Sequence, residues 1–542
     1  MGKLELWGGP ECTVNRIGAQ FGDQLRATGH HDRIEDLDLF AALGISALRY
    51  PILWERVAPD HPDVADWAWS DARMTRLQAL GIRPIAGLVH HGSGPNYTHL
   101  LDDGFAPGLA HFARMTAERY PWIEDWTPVN EPLTTARFSA LYGFWYPHAR
   151  DEQSFWRALL NQIEGVALAM AEVRKVNPAA RLIQTDDLGR TYATAAMREQ
   201  AAFDNVRRWM GWDLLCGKVV PGHCLWARLC GFGLEDRLRR IADRPSPPDV
   251  IGVNHYLTSD RFLDHRLQRY PRHLHGSNGH RSFADTEAVR VLDPSPPGLR
   301  GALQEAWARY NIPLAVTEVH NGSTRDEQMR WMAEAWQTAN LLRDAGVEVR
   351  AVTSWALLGS QGWNTLLTRP GTYEPGVYDV SSGSPEPTAM VDLLQSLGGQ
   401  RDRHPVSDDA GWWRRSIRLV HPAVPRPAPM RDRASSAAAG GAGKPPLLII
   451  GGDVGSLVTA CTMRGMAFRV IDMAAQDGPA EIEAVLADRP WAIVTKDDVG
   501  PKLARACASR SIPIVNALSD TSVDDLLDRL IDASATIHSM AA

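Results

Sequence analysis

The 542-residue chain has few cysteines, no long apolar run and no surplus of positive charge. Each shortage removes a class of function. The six cysteines, Cys12, Cys216, Cys224, Cys230, Cys461 and Cys507, include no CxxC pair and no framework spacing. That excludes a disulfide-stapled fold and predicts reduced thiols in a cytoplasmic protein. No apolar run reaches the ~20 residues of a membrane helix. The opening MGKLELWGGPE lacks the apolar core of a secretory signal. A membrane partner is therefore not expected. Net charge is -7 with both signs interspersed, which argues against nucleic acid, whose binders carry a basic face.

Tryptophan, by contrast, is plentiful: 19 residues against 12 Phe and 11 Tyr. Trp is a flat apolar platform with one donor, a surface on which the C–H faces of sugar rings stack. Hydrophobic residues at 44% and charged residues at 22% are an ordinary globular balance, and the length allows more than one domain.

Up to about residue 400, short apolar runs alternate with amphipathic helical stretches. The strand candidates are LELWGG, ALRYPILW, RPIAGLVHH, DWTPVNE, RLIQTDD, DVIGVNHY, PLAVTEV and VRAVTSWAL. In EQMRWMAEAWQTANLLRDAG apolar residues recur at helical spacing and a Gly stops the pattern. Eight strands alternating with helices predict an α/β fold, a (β/α)8 TIM barrel over 1–400. The stretches 188–248 and 257–312 are too long for simple connections and are expected as insertions. RPAPMRDRASSAAAGGAGKPP is rich in Pro, Ala, Gly and Ser and reads as linker, taken as 401–446. Residues 447–542 then predict a small Rossmann-like parallel α/β domain.

A barrel of this kind collects its chemistry at the C-terminal strand ends. Those ends read Arg49, His90, Asn130–Glu131, Asp186–Asp187, Asn254 with Tyr256, Glu318 and Trp355. Glu131 ends the fourth strand and Glu318 the seventh. Two carboxylates flanking a cleft are what glycoside hydrolysis needs: one protonates the leaving oxygen, the other attacks the anomeric carbon.

These motifs resemble glycoside hydrolase family 1. WGGPECTVN resembles its opening strand, RIEDLDLFAALGISALRYPILWERVAP its second helix–strand unit, and LVHH its third strand. WTPVNEP resembles the acid/base motif, DVIGVNHYLTS the sixth strand, TEVHNG the nucleophile motif and SWALL the eighth strand. The resemblance implies Glu131 as acid/base and Glu318 as nucleophile, with Arg49 holding Glu318 ionised and Tyr256 steadying it. It implies sugar contacts from Asn15, His90, Asn130, Asn254, Trp355 and Trp363. It implies a retaining, β-glucosidase-like hydrolase acting on a small saccharide or glycoside, with no metal and no required cofactor. Three departures loosen the glycone assignment. Asn15 stands where the family has a Gln, Gly362 stands where it has a Glu before Trp363, and TEVHNG has two extra residues that offer His320 or Asn321 as contacts. No basic residue follows the eighth strand in GSQGWNTLL, which disfavours a 6-phosphosugar.

RHLHGSNGH brings His273, His275 and His280 together, but no acidic or Cys cluster completes a metal site. IIGGDVGSL opens the C-terminal domain with Gly452 and Gly455, and Asp472 follows at the spacing of a ribose-binding acid. This part resembles the start of the extended short-chain reductases, particularly dTDP-4-dehydrorhamnose reductase. The third fingerprint Gly is replaced by Val458, and 445–542 contains no Tyr-x-x-x-Lys pair. A non-catalytic role follows, with packing on the barrel or homo-oligomer contact as its use. Two alternatives stay open: a catalytically silent sugar-binding barrel, and an NAD-linked sugar oxidoreductase working through the C-terminal domain.

Overall fold

Strands covered on both faces read as continuous apolar runs, because neither face meets water. In the computed structural model, which describes residues 2–399, 403–426, 444–452, 454–471, 479–496, 499–517 and 522–540, all eight runs become parallel strands of one closed barrel. They are β1 (Glu5–Gly9), β2 (Ala47–Pro51), β3 (Arg83–His90), β4 (Asp125–Asn130), β5 (Arg181–Asp187), β6 (Val250–Asn254), β7 (Leu314–Val319) and β8 (Val349–Trp355). Each pairs with its successor in chain order, and β8 closes on β1 with Gly9 opposite Trp355. The run ALRYPILW stops at Pro51 because Trp54–Val57 is already a helical turn.

A helix from each connection covers the outside: α1 (Asp36–Ala42), α2 (Ala68–Leu80), α3 (Phe105–Arg119), α4 (Glu152–Val176), α5 (Met210–Leu215), α6 (Gly298–Tyr310), α7 (Arg325–Asp344) and α8 (Ala389–Leu397). A buried layer separate from the main core joins Trp7, Ala47, Ile85, Ile183, Val250, Ala315 and Ala351, drawn from seven of the strands. One Trp is offset by three Ala, so the interior fills without overpacking.

The first expected insertion is mainly helical. The second folds Arg261–Asp264, His275–Ser277 and Ser282–Glu287 into a sheet that borrows Thr191–Ala193 from the first. His275 Nε2 hydrogen-bonds the carbonyls of Leu267 and Tyr270 at 3.1 and 3.0 Å, so it serves the local backbone. No helix among the described residues is long and apolar enough to cross a membrane.

Part of the segment expected as linker is structured. Residues 403–426 make three short 3-10 turns, and Val424–Pro425 pairs with Leu292–Asp293. The reason is a pair of anchors that a composition reading misses. Trp413 is buried and donates to Glu334 at 2.8 Å, and the Arg418 guanidinium donates to the carbonyls of Val289 and Leu292.

Beyond it, β9 (Leu447–Ile450), β10 (Phe468–Ile471), β11 (Ala492–Thr495) and β12 (Ile514–Asn516) form a parallel sheet in the order β10-β9-β11-β12. Helices α9 (Gly455–Met463), α10 (Pro479–Leu486), α11 (Pro501–Ala508) and α12 (Val523–Met540) accompany it. Leu527, Leu530 and Ile531 of α12 share one apolar core with Met390 and Leu393 of α8. A buried polar network lies alongside. Arg464 donates to Asp326 at 2.9 Å and also pairs with Asp528, while Asp528 accepts the Arg325 backbone N–H at 3.0 Å. Asp326 is fully buried, with Arg330 at 2.7 Å as its other cation. Removing one partner of a buried ion pair leaves an undercompensated charge. Arg464→Ala is therefore expected to cost about 3 kcal/mol, read as an earlier midpoint in chemical denaturation. An unchanged midpoint would show that the network contributes nothing to stability.

Candidate active site

The strand ends converge on two carboxylates. Glu131 follows β4 directly and caps Pro132–Ala136, with its backbone in the left-handed region at φ 47. A non-glycine residue held there is strained, and such strain persists only where surrounding contacts over-determine it. Those contacts are present. The Glu131 N–H donates to the Thr185 carbonyl at 3.2 Å, Asn254 Nδ2 donates to Glu131 Oε1 at 2.6 Å, and Pro132 starts a helical turn at once. Asn254 is itself oriented by Thr317 Oγ1, which donates to its Oδ1 at 2.6 Å.

Glu318 sits near the end of β7, where the pairing with β6 shifts register between Val316 and Glu318. Such an irregularity re-aims a side chain. Arg49 Nη1 donates to Glu318 Oε1 at 2.9 Å and to the Thr317 carbonyl at 2.7 Å. The Tyr256 hydroxyl donates to Glu318 Oε2. Arg49 Nη2 donates to Asn130 Oδ1 at 2.6 Å, which also accepts from Thr185 Oγ1 at 2.7 Å. With Oδ1 committed, the Asn130 amide nitrogen is left for His90 Nε2 at 3.2 Å and His91 Nε2 at 3.4 Å. One guanidinium thus sets the nucleophile candidate and, through Asn130, His90 at the end of β3 and His91 just past it.

Burial and charge push the two carboxyls unequally. Burial, then the Glu318 charge, then Asp187 and Asp186 raise Glu131 well above the usual carboxylate range. Burial also raises Glu318, and the Arg49 charge and the Tyr256 hydrogen bond oppose it. Arg49, expected to hold Glu318 ionised, acts in that direction against burial. Tyr256 is raised well above its ordinary value by burial and then by Glu318, so it stays protonated and remains a donor. Burial lowers His91 to about 3 and His90 well below its usual value, so both rings are neutral at pH 7.

The aromatic wall follows from glycine. A Cβ on Gly9 would lie 2.5 Å from the Trp355 ring, so only Gly lets that indole lie over the tip of β1. Trp355 stacks on His90 at 5.5 Å, and the Arg49 guanidinium lies 4.8 Å from its centre. Trp363 meets His91 edge-on at 5.5 Å and Trp145 at 6.2 Å. Asn15 is buried and donates to the Leu367 carbonyl at 3.2 Å, tying the first strand's loop to the eighth's. His320 pairs with Glu374 at 2.7 Å, and Asn321 makes a long bond to the Glu327 carbonyl at 3.4 Å.

Sequence reasoning passed over several members. His91 brings Nε2 to 3.9 Å from Glu131 Oε2. Glu11, just past β1, accepts the Trp363 indole N–H at 3.2 Å. The signal for Glu11 was available: a carboxylate beside a barrel strand's C-terminal end. Of the residues singled out in the C-terminal domain, Gly452 lies between β9 and α9, Gly455 opens α9, and Asp472 lies outside the described residues.

Comparison with known proteins places this arrangement. The model of glycosyl hydrolase family 1 matches residues 15–369. The phospho-cellobiase of Klebsiella oxytoca is 24% identical over 60% of this chain and 75% of its own length. Beta-glucosidase A of Thermotoga maritima is 27% identical over 62% and 79%. The structure of Thermotoga maritima beta-glucosidase in complex with cyclophellitol superposes with a TM-score of 0.59 at 15% identity, covering 74% of this chain and 99% of that one. The structural likeness speaks for the fold, and the family match spans well over half the chain: the protein belongs to glycosyl hydrolase family 1 and is a hydrolase of glycosides.

Proposed function

We propose that the protein is a retaining β-glycosidase, β-glucosidase-like in its glycone site, that works by double displacement. Glu318 attacks the anomeric carbon as Glu131 protonates the departing oxygen. The carbon–oxygen bond breaks, and the glycosyl group is held as an ester of Glu318. That ester removes the Glu318 charge that had raised Glu131, so Glu131 becomes more acidic. Deprotonated, it takes a proton from water attacking the same carbon, and Glu318 is released. The observation that carries this reading is the asymmetry between the carboxyls. Among the described residues no Lys or Arg pairs with Glu131, and a neighbouring charge favours its proton, whereas Glu318 has Arg49 and the Tyr256 hydroxyl. The reading expects the two carboxyl groups about 5–5.5 Å apart.

Neutral glycosides are preferred to 6-phosphosugars, although several relatives carry phospho-glucosidase names. The support is the absence of a basic residue in GSQGWNTLL. The C-terminal domain is read as a Rossmann-like module that packs on α7 and α8 and takes no part in the reaction. Its support is the shared apolar core and the Arg464 network.

The test is covalent trapping with activated 2-deoxy-2-fluoro β-glycosides of the gluco, galacto, manno and 6-deoxy series. A mass increase of one fluoroglycosyl group, mapped to Glu318, is expected with at least one sugar. A label on another residue would overturn the nucleophile assignment. Failure of all four sugars together with no turnover would favour a sugar-binding barrel.

A further inference from the structure

Double displacement uses two carboxylates, yet the mouth of the barrel holds a third with no task in it. Glu11 is only 3% exposed. Its Oε1 accepts the Thr13 backbone N–H at 2.9 Å and its Oε2 accepts the Trp363 indole N–H at 3.2 Å. A carboxylate has about four acceptor positions. Among the described residues, Glu11 therefore has two neutral donors and unused acceptor capacity. Its charge acts on both Glu318 and Tyr256. The Trp363 that it holds packs on His91, whose Nε2 is 3.9 Å from Glu131 Oε2. Glu11 thus belongs to the wall of the catalytic mouth and not to the outer core.

A buried anion with idle acceptors is costly until donors reach it. In the mouth of a glycosidase the donors that arrive with the substrate are sugar hydroxyls, and one accepted by a carboxylate forms a charge-assisted bond. We propose that Glu11 is a specificity-determining residue that accepts hydrogen bonds from glycone hydroxyls on the side away from the anomeric carbon. The proposal rests on the glycosidase reading. Its consequence for substrate class is direct. A neutral glycone with free hydroxyls on that side gains from Glu11. A glycone carrying a phosphate there meets like charge, and Arg49 is already engaged with Glu318, Thr317 and Asn130.

The experiment pairs each Glu11 variant with the loss of each hydroxyl. kcat/KM is measured for the 4-nitrophenyl β-glycoside the wild type turns over best and for its 3-, 4- and 6-deoxy counterparts. The enzymes are the wild type, Glu11→Gln, Glu11→Ala and Trp363→Phe. Glu11→Ala is expected to lower kcat/KM on the parent sugar by roughly 10²-fold. On the deoxy sugar lacking the partner hydroxyl the loss should shrink to within about threefold, since the interaction is already gone. Glu11→Gln keeps the shape and one acceptor and should fall between, which guards against misfolding of the Ala variant. Equal losses on the parent and all three deoxy sugars would overturn the proposal, and Trp363→Phe reproducing them would show that Glu11 only props the indole. A wild type inert toward every glycoside would sink the glycosidase reading and this proposal together. An active wild type with additive variants sinks Glu11 alone.

Discussion

Glu318→Ala is expected to lower kcat on an activated aryl β-glycoside by roughly 10⁴-fold or more, the scale seen when a covalent nucleophile is removed. The fold should tolerate the change. Arg49 loses one acceptor but keeps the Thr317 carbonyl at 2.7 Å and Asn130 Oδ1 at 2.6 Å, so the guanidinium is not left unpaired. Because the defect is chemical, it should be repairable. Azide occupies the space of the missing carboxylate and attacks the same face of the sugar, giving an α-glycosyl azide from a β-glycoside. Recovered rate with an α product supports Glu318 as nucleophile. Recovered rate with a β product would place the nucleophile elsewhere.

The second large effect depends on the leaving group. Glu131→Gln removes the proton donor while keeping an acceptor for Asn254 Nδ2, which donates to Oε1 at 2.6 Å in the native protein. General acid catalysis contributes about 10²–10⁴-fold. Glycosides with alkyl leaving groups should therefore lose about that much in kcat/KM. A 2,4-dinitrophenyl glycoside, whose leaving group needs no proton, should lose little. The pH profile gives an independent reading. Glu131 must hold its proton, and burial and the Glu318 charge keep it protonated above the usual carboxylate range. kcat/KM should fall as pH rises through that raised value, and the alkaline limb should vanish in Glu131→Gln. The acid limb belongs to Glu318, which must be ionised, and it should persist. Equal losses for good and poor leaving groups, or an alkaline limb that survives the substitution, would remove Glu131 from the acid/base role.

The periodic part of the fold was written along the chain. Each strand is a short apolar run, each helix an apolar stripe, and both are set by neighbours within a few residues. That is why β5 matches its run end to end and why β4 and β7 deliver Glu131 and Glu318 where the motifs place them. A strand's end is a local property, and in a barrel it is also the address of the chemistry.

What the local pattern does not encode is which distant groups meet and how far water is excluded. Arg49 finds Glu318 across 269 positions, and Glu11 finds Trp363 across 352. Asn15, expected to reach a sugar, has its amide turned to Leu367. Residues 403–426 were expected as linker and are held down by Trp413 and Arg418. The displacement of Glu131 upward, with Glu318 restrained by Arg49, depends on burial and on charges supplied by several strands. The residue types and their strand-end positions are determined by sequence alone, because they follow from short-range periodicity. Their protonation, their partners and the unused acceptor capacity of Glu11 exist only once the barrel closes, because desolvation and Coulomb interaction depend on distance through space and not along the chain.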